Sequence, residues 1–175
     1  MKILLILCLM VSGSSFAALR GVYAGIRGGS VAPSSGTDGG TGLGVDVGLR
    51  VNKSYDWTMT MQSSNGHPSG FTSSMLGTGI DMRMFRGMAE MELSLGIGIG
   101  AYSLNIYNQS SLQPGINGGL TLDFVFSRSF HLGMALKLHG YPNNPNYGNG
   151  FQTLMARFGY FFGFTDNSLT LPDMN

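Results

Sequence analysis

Apolar residues occupy every second position through most of this chain, and that habit leaves few folds open. In the stretch 77–100, Ile80, Met82, Met84, Met91, Leu93, Leu95, Ile97 and Ile99 alternate with Gly79, Asp81, Arg83, Glu90, Glu92, Gly96 and Gly98. Successive side chains of a β-strand point to opposite faces, so a period of two reads as strand. Helical periodicity is poor. No stretch beyond residue 17 is apolar for the roughly 18 residues that a membrane helix needs.

Eight such runs are predicted, at about residues 19–30, 41–51, 55–62, 74–85, 89–102, 115–126, 130–139 and 151–164. One face of each is apolar, as with Leu43, Val45, Val47 and Leu49 in the second run or Leu132, Met134, Leu136 and Leu138 in the seventh. The other face carries glycine, hydroxyls and every charge in the runs beyond Arg20. Between runs, residues 52–54, 86–88 and 127–129 are tight connections, while 31–40, 63–73, 103–114 and 140–150 are longer and rich in Gly, Ser, Asn and Pro. Short turns at one end and longer loops at the other suit a closed antiparallel barrel that crosses a membrane. An even number of strands puts both termini at the short-turn end.

Which face lies inside decides the class. A soluble barrel would bury the apolar set and turn the polar set to water. Its surface would then be largely glycine, since Gly44, Gly48, Gly77, Gly79, Gly96, Gly98 and Gly100 share that face, and glycine is a poor solvent face. Only 11% of residues are charged, well below the typical share of about 25%. The polar face balances Asp46, Asp56, Asp81, Glu90, Glu92 and Asp123 against Arg27, Arg50, Arg83, Lys137 and Arg157. Near-neutral pairing suits a confined lumen, where unpaired charge is costly. Aromatics gather at the run ends. Tyr55, Trp57, Phe124, Phe126, Phe130, Tyr160, Phe162 and Phe164 form one expected girdle, and Tyr102, Tyr107, Tyr141 and Tyr147 a second at the loop end. The expectation is an all-β, eight-stranded, antiparallel up-and-down transmembrane β-barrel with a polar lumen. A lipocalin-like secreted barrel is the alternative.

Residues 1–17 read as a secretory signal. Lys2 precedes the apolar run 3–11, and Ser15-Phe16-Ala17 offers small residues for cleavage after Ala17. The expected layout is a signal at 1–17, a barrel at 18–164 and a short periplasmic tail at 165–175. Cys8 is the sole cysteine, so the mature chain carries neither disulfide nor thiol chemistry. A formal charge of +1 gives no basic footprint for nucleic acid.

With these features together, the chain resembles the small eight-stranded outer-membrane barrels of Gram-negative bacteria, of the OmpA transmembrane-domain and OmpX type. The resemblance covers residues 19–164. It rests on the architecture and on the closing run FQTLMARFGYFFGF, which is similar to the aromatic-ended signal read by the outer-membrane assembly machinery. Many members stop at that Phe, whereas here TDNSLTLPDMN follows. The resemblance implies residence in the outer membrane with periplasmic termini. The expected partners are outer-membrane lipids, lipopolysaccharide and that machinery, with the protein a monomer and no cofactor.

Candidate sites lie on the inward set. Arg27, Asp46, Arg50, Asp56, Asp81, Arg83, Glu90, Glu92, Asp123, His131, Lys137 and Arg157 are expected to form a salt-bridge network, densest near the short turns. It would plug the lumen, with an ion path as the alternative. Nearer the loops, glycines with Thr58, Thr60, Asn117, His139 and Thr153 suggest a vestibule for water or a small ligand. Large neighbours such as Met155 packing over those glycines is the competing reading. For lipid A chemistry, His67 beside Ser63, Ser64 and Ser69 is one candidate and His139 the other. Neither has an evident orienting carboxylate. Three widely spaced histidines offer no metal-ligand spacing. A non-enzymatic structural or surface-interaction protein is the first functional expectation, a small-solute or hydrophobic-ligand conduit the second, and a lipid A-modifying enzyme the third.

Overall fold

The computed structural model describes residues 21–33, 39–51, 54–65, 70, 72–87, 91–106, 109–126, 129–144 and 148–163. These form β1 (Gly21–Pro33), β2 (Gly40–Arg50), β3 (Tyr55–Asn65), β4 (Thr72–Gly87), β5 (Met91–Ile106), β6 (Gln109–Val125), β7 (Phe130–Asn144) and β8 (Gly148–Gly163). Each strand pairs antiparallel with the next, and β8 returns to β1 to close the barrel in chain order. The closing ladder runs from Gly21↔Gly163 to Pro33↔Phe151, so the outermost strands leave no free edge along it. The secretory segment, the tail, Glu90, Phe164, Tyr107, Tyr147, His67 and Ser69 lie outside the described residues.

The alternation sets the faces. Outward positions hold Ile26, Leu43, Met61, Ile80, Ile97, Ile99, Leu120, Leu136 and Leu138, all exposed, with Leu43 at 74%. Inward positions hold the charges and most glycines. Along β5 the apolar outward row runs from Met91 to Ala101 and gives way to Ser103 and Asn105. Ten residue steps of about 3.3 Å, tilted by roughly 40°, span about 25 Å, the height of a lipid-facing band. At the turn end that row begins with Tyr55, Trp57, Phe124, Phe126, Phe130 and Phe162, all exposed. Tyr160 lies between two of them, its ring 4.9 Å from that of Phe130 and 4.5 Å from that of Phe162.

Two expectations at the loop end are corrected. The stretches 103–114 and 140–150 are mostly strand: β5 and β6 pair out to Ile106↔Gln109, and β7 and β8 out to Asn144↔Gly148. Ser, Asn and Gln dominate there because neither face of a strand above the apolar band must be apolar, and that composition imitates a loop. The second girdle also fails for two of its members. Tyr102 is wholly buried and Tyr141 nearly so, at 6% exposure, and both point into the barrel. Tyr102 shares the parity of the inward Gly98 and Gly100, and Tyr141 that of the inward Lys137 and His139. The border at this end is drawn by exposed Ser30, Thr41, Ser63, Ser74, Ser103 and Gln152 instead.

The β6–β7 ladder stops short of the loop-side ends of both its strands. Between β6 and β7, paired residues run from Val125↔His131 only as far as Ile116↔Gly140. Beyond that rung β6 continues on β5 alone, and β7 continues through a register shift toward β8.

Candidate functional site: a lumen filled in two layers

The inward charges pair both between neighbouring strands, as Arg50 with Asp56, and across the lumen, as Arg50 with Glu92. Three rows place like charges directly opposite each other: Arg27↔Arg157, Asp56↔Asp81 and Glu92↔Asp123. Such pairs destabilise an ordinary sheet. Here each of the three rows has at least one member that turns to an opposite charge elsewhere. Near the turns, Arg50 and Arg83 alternate with Asp56 and Glu92 in a four-membered ring. Arg50 lies 3.2 Å from Asp56 and 3.6 Å from Glu92, and Arg83 lies 3.1 Å from Asp56 and 3.8 Å from Glu92. The Arg50 guanidinium also sits 4.5 Å over the Phe161 ring, which fills the floor of the lumen.

Higher up, Arg27 pairs with Asp46 at 3.5 Å, and the Thr60 hydroxyl donates to Asp46 at 2.7 Å. Arg157 pairs with Asp123 at 3.4 Å and donates to the Tyr23 hydroxyl. Arg157 and Asp123 stand on strands that are not neighbours. Between them in register is Gly133 on β7. A Cβ there would fall 2.1 Å from the Asp123 carboxylate, so only glycine lets that side chain lie across the strand. Asp81 and Lys137 are separated in the same way by Gly96 and Gly119. His131 is buried with its ring edge-on to Tyr23. Thr58 joins Asp81, Ser94 and His131 around an enclosed cavity of about 30 Å³. That is room for roughly two waters.

An apolar cluster is buried in the upper lumen, beside buried Gln62, Ser64, Ser73, His139 and Thr153. Val31, Met75, Tyr102, Leu104, Tyr141, Phe151 and Met155 pack there with exposures of 0–6%. His139 stacks on Phe151 with ring centres 4.4 Å apart. Its Nδ1 is 3.1 Å from the Tyr102 hydroxyl, and its Nε2 is 3.4 Å from the Thr153 hydroxyl. Asn117 donates to the same Tyr102 hydroxyl at 3.5 Å. The vestibule expected around Asn117, His139 and Thr153 is therefore occupied by side chains. Its glycines are roofed: a Cβ on Gly42 would meet the Met155 methyl and a Val31 methyl at 2.8 Å, and one on Gly115 would meet the Tyr102 ring at 2.7 Å. Of the expected lipid A residues, His139 is buried in this layer and Ser64 is bonded to Ser73 at 2.7 Å. Among the described residues there is no group of three metal-ligating side chains.

Seven residues in these layers were missed by the sequence reading. Tyr23, Val31, Met75, Leu104, Phe151 and Phe161 all carry inward parity. Met155 entered it only as a cover for glycines. Continuing the period of two through the stretches read as loop finds Val31 and Leu104, and the parity of the runs themselves already turns the other five inward.

No protein-family model matches the chain, and neither does any curated protein sequence. Solved structures do. Neisserial surface protein A (NspA) aligns over 82% of this chain and 96% of its own, with a TM-score of 0.58 and 13% identity. The N-terminal β-barrel domain of Pseudomonas aeruginosa OprF aligns over 80% and 97%, with a TM-score of 0.58 and 12% identity. Ail, the attachment invasion locus protein of Yersinia pestis, aligns over 83% and 99%, with a TM-score of 0.51 and 15% identity. The chain thus has the fold of the small eight-stranded outer-membrane β-barrels.

Proposed function

We propose that this protein is an integral outer-membrane barrel with a non-enzymatic structural or surface-interaction role, and that its lumen is closed. The observation that carries this reading is the inversion of the barrel. Its exterior is a continuous apolar band, and among the described side chains its interior holds five cations, Arg27, Arg50, Arg83, Lys137 and Arg157, against five anions, Asp46, Asp56, Asp81, Glu92 and Asp123. Exposed apolar surface on that scale requires lipid or a partner. The charge ring encloses a cavity of about 30 Å³, and the aromatic cluster is buried above it. That arrangement favours a closed lumen over a conduit. Neighbours named as a surface protein and an attachment protein agree with a surface role without assigning one.

Trp57 is the sole tryptophan and stands 40% exposed on the outer wall near the turn end. It tests the membrane reading directly. Brominated phosphatidylcholine should quench its emission strongly in reconstituted vesicles, and water-soluble acrylamide only weakly. Planar-bilayer recording tests the lumen. The expected trace is flat, and a steady large conductance would sink the closed-lumen reading.

A further inference from the structure

The β6–β7 ladder has a groove at its end. Above Ile116↔Gly140 the two strands part, with Pro114 on one side and Pro142 on the other. Proline has no N–H to give to a ladder, so each helps to keep the seam unpaired. The split holds an open groove of about 730 Å³, lined by Ile99, Pro114, Ile116, Gly140, Tyr141 and Pro142 among others, with no charged residue in its wall. That volume falls within the range of about 300–1,000 Å³ usual for small-molecule sites. Ile99 and Ile116 belong to the outward apolar band, at 63% and 67% exposure, so the groove is continuous with that band. The apolar surface also climbs here. Leu112 is 75% exposed, yet its cross-strand partner is Ser103, a member of the polar border. Tyr141 closes the back of the groove and is at the same time part of the buried upper layer.

We propose that this split seam binds one acyl chain of a membrane lipid, with Tyr141 as the wall between the chain and the lumen. The proposal rests on the membrane reading above. A hydrocarbon chain fits the site because it needs no hydrogen bond, reaches the site from the band beside it and covers exposed Leu112 and Ile116. The absence of charge disfavours a headgroup as the occupant.

The test uses the full protein in phosphatidylcholine vesicles doped with phosphatidylcholine carrying a mid-chain diazirine. After irradiation, cross-linked peptides are mapped by mass spectrometry. Enrichment is expected at Ile116 and at 140–142, relative to the equally apolar wall at Leu43 and Met61 on the far side. Gly140→Leu should fill the groove. A Cβ at Gly140 meets Ile116 Cγ1 at 3.7 Å and the Asn149 carbonyl at 3.9 Å, which are ordinary contacts, so the barrel should fold. Heat-dependent gel mobility verifies that it does. In this variant the cross-links at the seam should fall about tenfold, a change of roughly 1.4 kcal/mol, while those at Leu43 and Met61 stay constant. Uniform labelling around the barrel, unchanged by Gly140→Leu, overturns the seam proposal and leaves the membrane reading intact. No labelling at any outward residue overturns both.

Discussion

Replacing Arg157 with methionine isolates one buried ion pair and tests how the lumen is held. Arg157 and Asp123 lie 3.4 Å apart, with side-chain exposures of 12% and 11%. At an effective dielectric constant near 20, two unit charges at that distance attract by about 5 kcal/mol. Desolvation cancels much of this in the intact pair, so the pair's net contribution is small. Removing one partner is different, because Asp123 then stays buried without its cation. The expected loss for Arg157→Met is about 3–5 kcal/mol. Arg157→Met combined with Asp123→Asn removes both charges and should lose clearly less than Arg157→Met alone. Tyr23→Phe, which deletes only the hydroxyl that accepts from Arg157, should cost about 1 kcal/mol. The assay is urea unfolding of vesicle-inserted protein, followed by Trp57 emission and gel mobility, with the double-mutant cycle giving the coupling. A loss under about 1 kcal/mol, the value of an exposed pair, would refute the reasoning. So would a double variant as unstable as Arg157→Met.

Met155 and Phe151 are almost wholly buried in the upper layer, so Met155→Ala and Phe151→Ala should each cost about 2–5 kcal/mol in the same unfolding assay. Met61→Ala, on the lipid-facing wall at 56% exposure, should cost much less, because it leaves no cavity. Tyr102→Phe removes the hydroxyl shared by His139, Asn117 and the Ile116 carbonyl. It should cost about 1–3 kcal/mol, and an unchanged midpoint would show that these bonds are idle. Gly133→Val should displace the Asp123 carboxylate that now crosses the glycine. Its cost should persist when Arg157→Met and Asp123→Asn are already present, which the cycle measures, because asparagine keeps the shape of aspartate and the new Cβ also runs into the Leu122 carbonyl oxygen.

The period of two made the barrel legible because membrane crossing forces one face to be apolar at every second residue. Ile97, Ile99 and Leu136 announce their outward direction. The same rule loses its force above the apolar band. There Ser103, Asn105 and Ser111 carry no preference, and strand was taken for loop. Tyr102 and Tyr141 were misplaced for a related reason. Tyrosine suits both an interface and a packed interior, so residue type alone does not choose, and only the parity carried up from Gly100 and His139 does. The charges were legible as a set but not as pairs. Arg157 reaches Asp123 over Gly133, and Arg50 reaches Glu92 on a strand three places along. Those partners depend on the stagger of the closed barrel, which no single strand encodes. The upper layer was missed because Val31, Leu104 and Phe151 sit where polar residues had been taken to rule.

The like-charged rows bear on how such a barrel reaches its final state. A flat sheet of β1 to β8 would hold Asp56 against Asp81 and Glu92 against Asp123, with Arg50 and Arg83 on neighbouring strands to offset Asp56 and Glu92, but with Arg50 and Glu92 three strands apart. Only curling brings Arg50 and Glu92 together, and only the last seam sets Arg27 beside Arg157. A strand slipped by one register step would exchange its charges for leucines on every row. The interior thus acts as a register check: a slipped strand would take its charges out of reach of the partners that Asp46, Asp56 and Glu92 find on neighbouring strands. The final closure is what brings Arg27 beside Arg157, so the last seam forms only where Asp46 and Asp123 already stand ready to take those two cations.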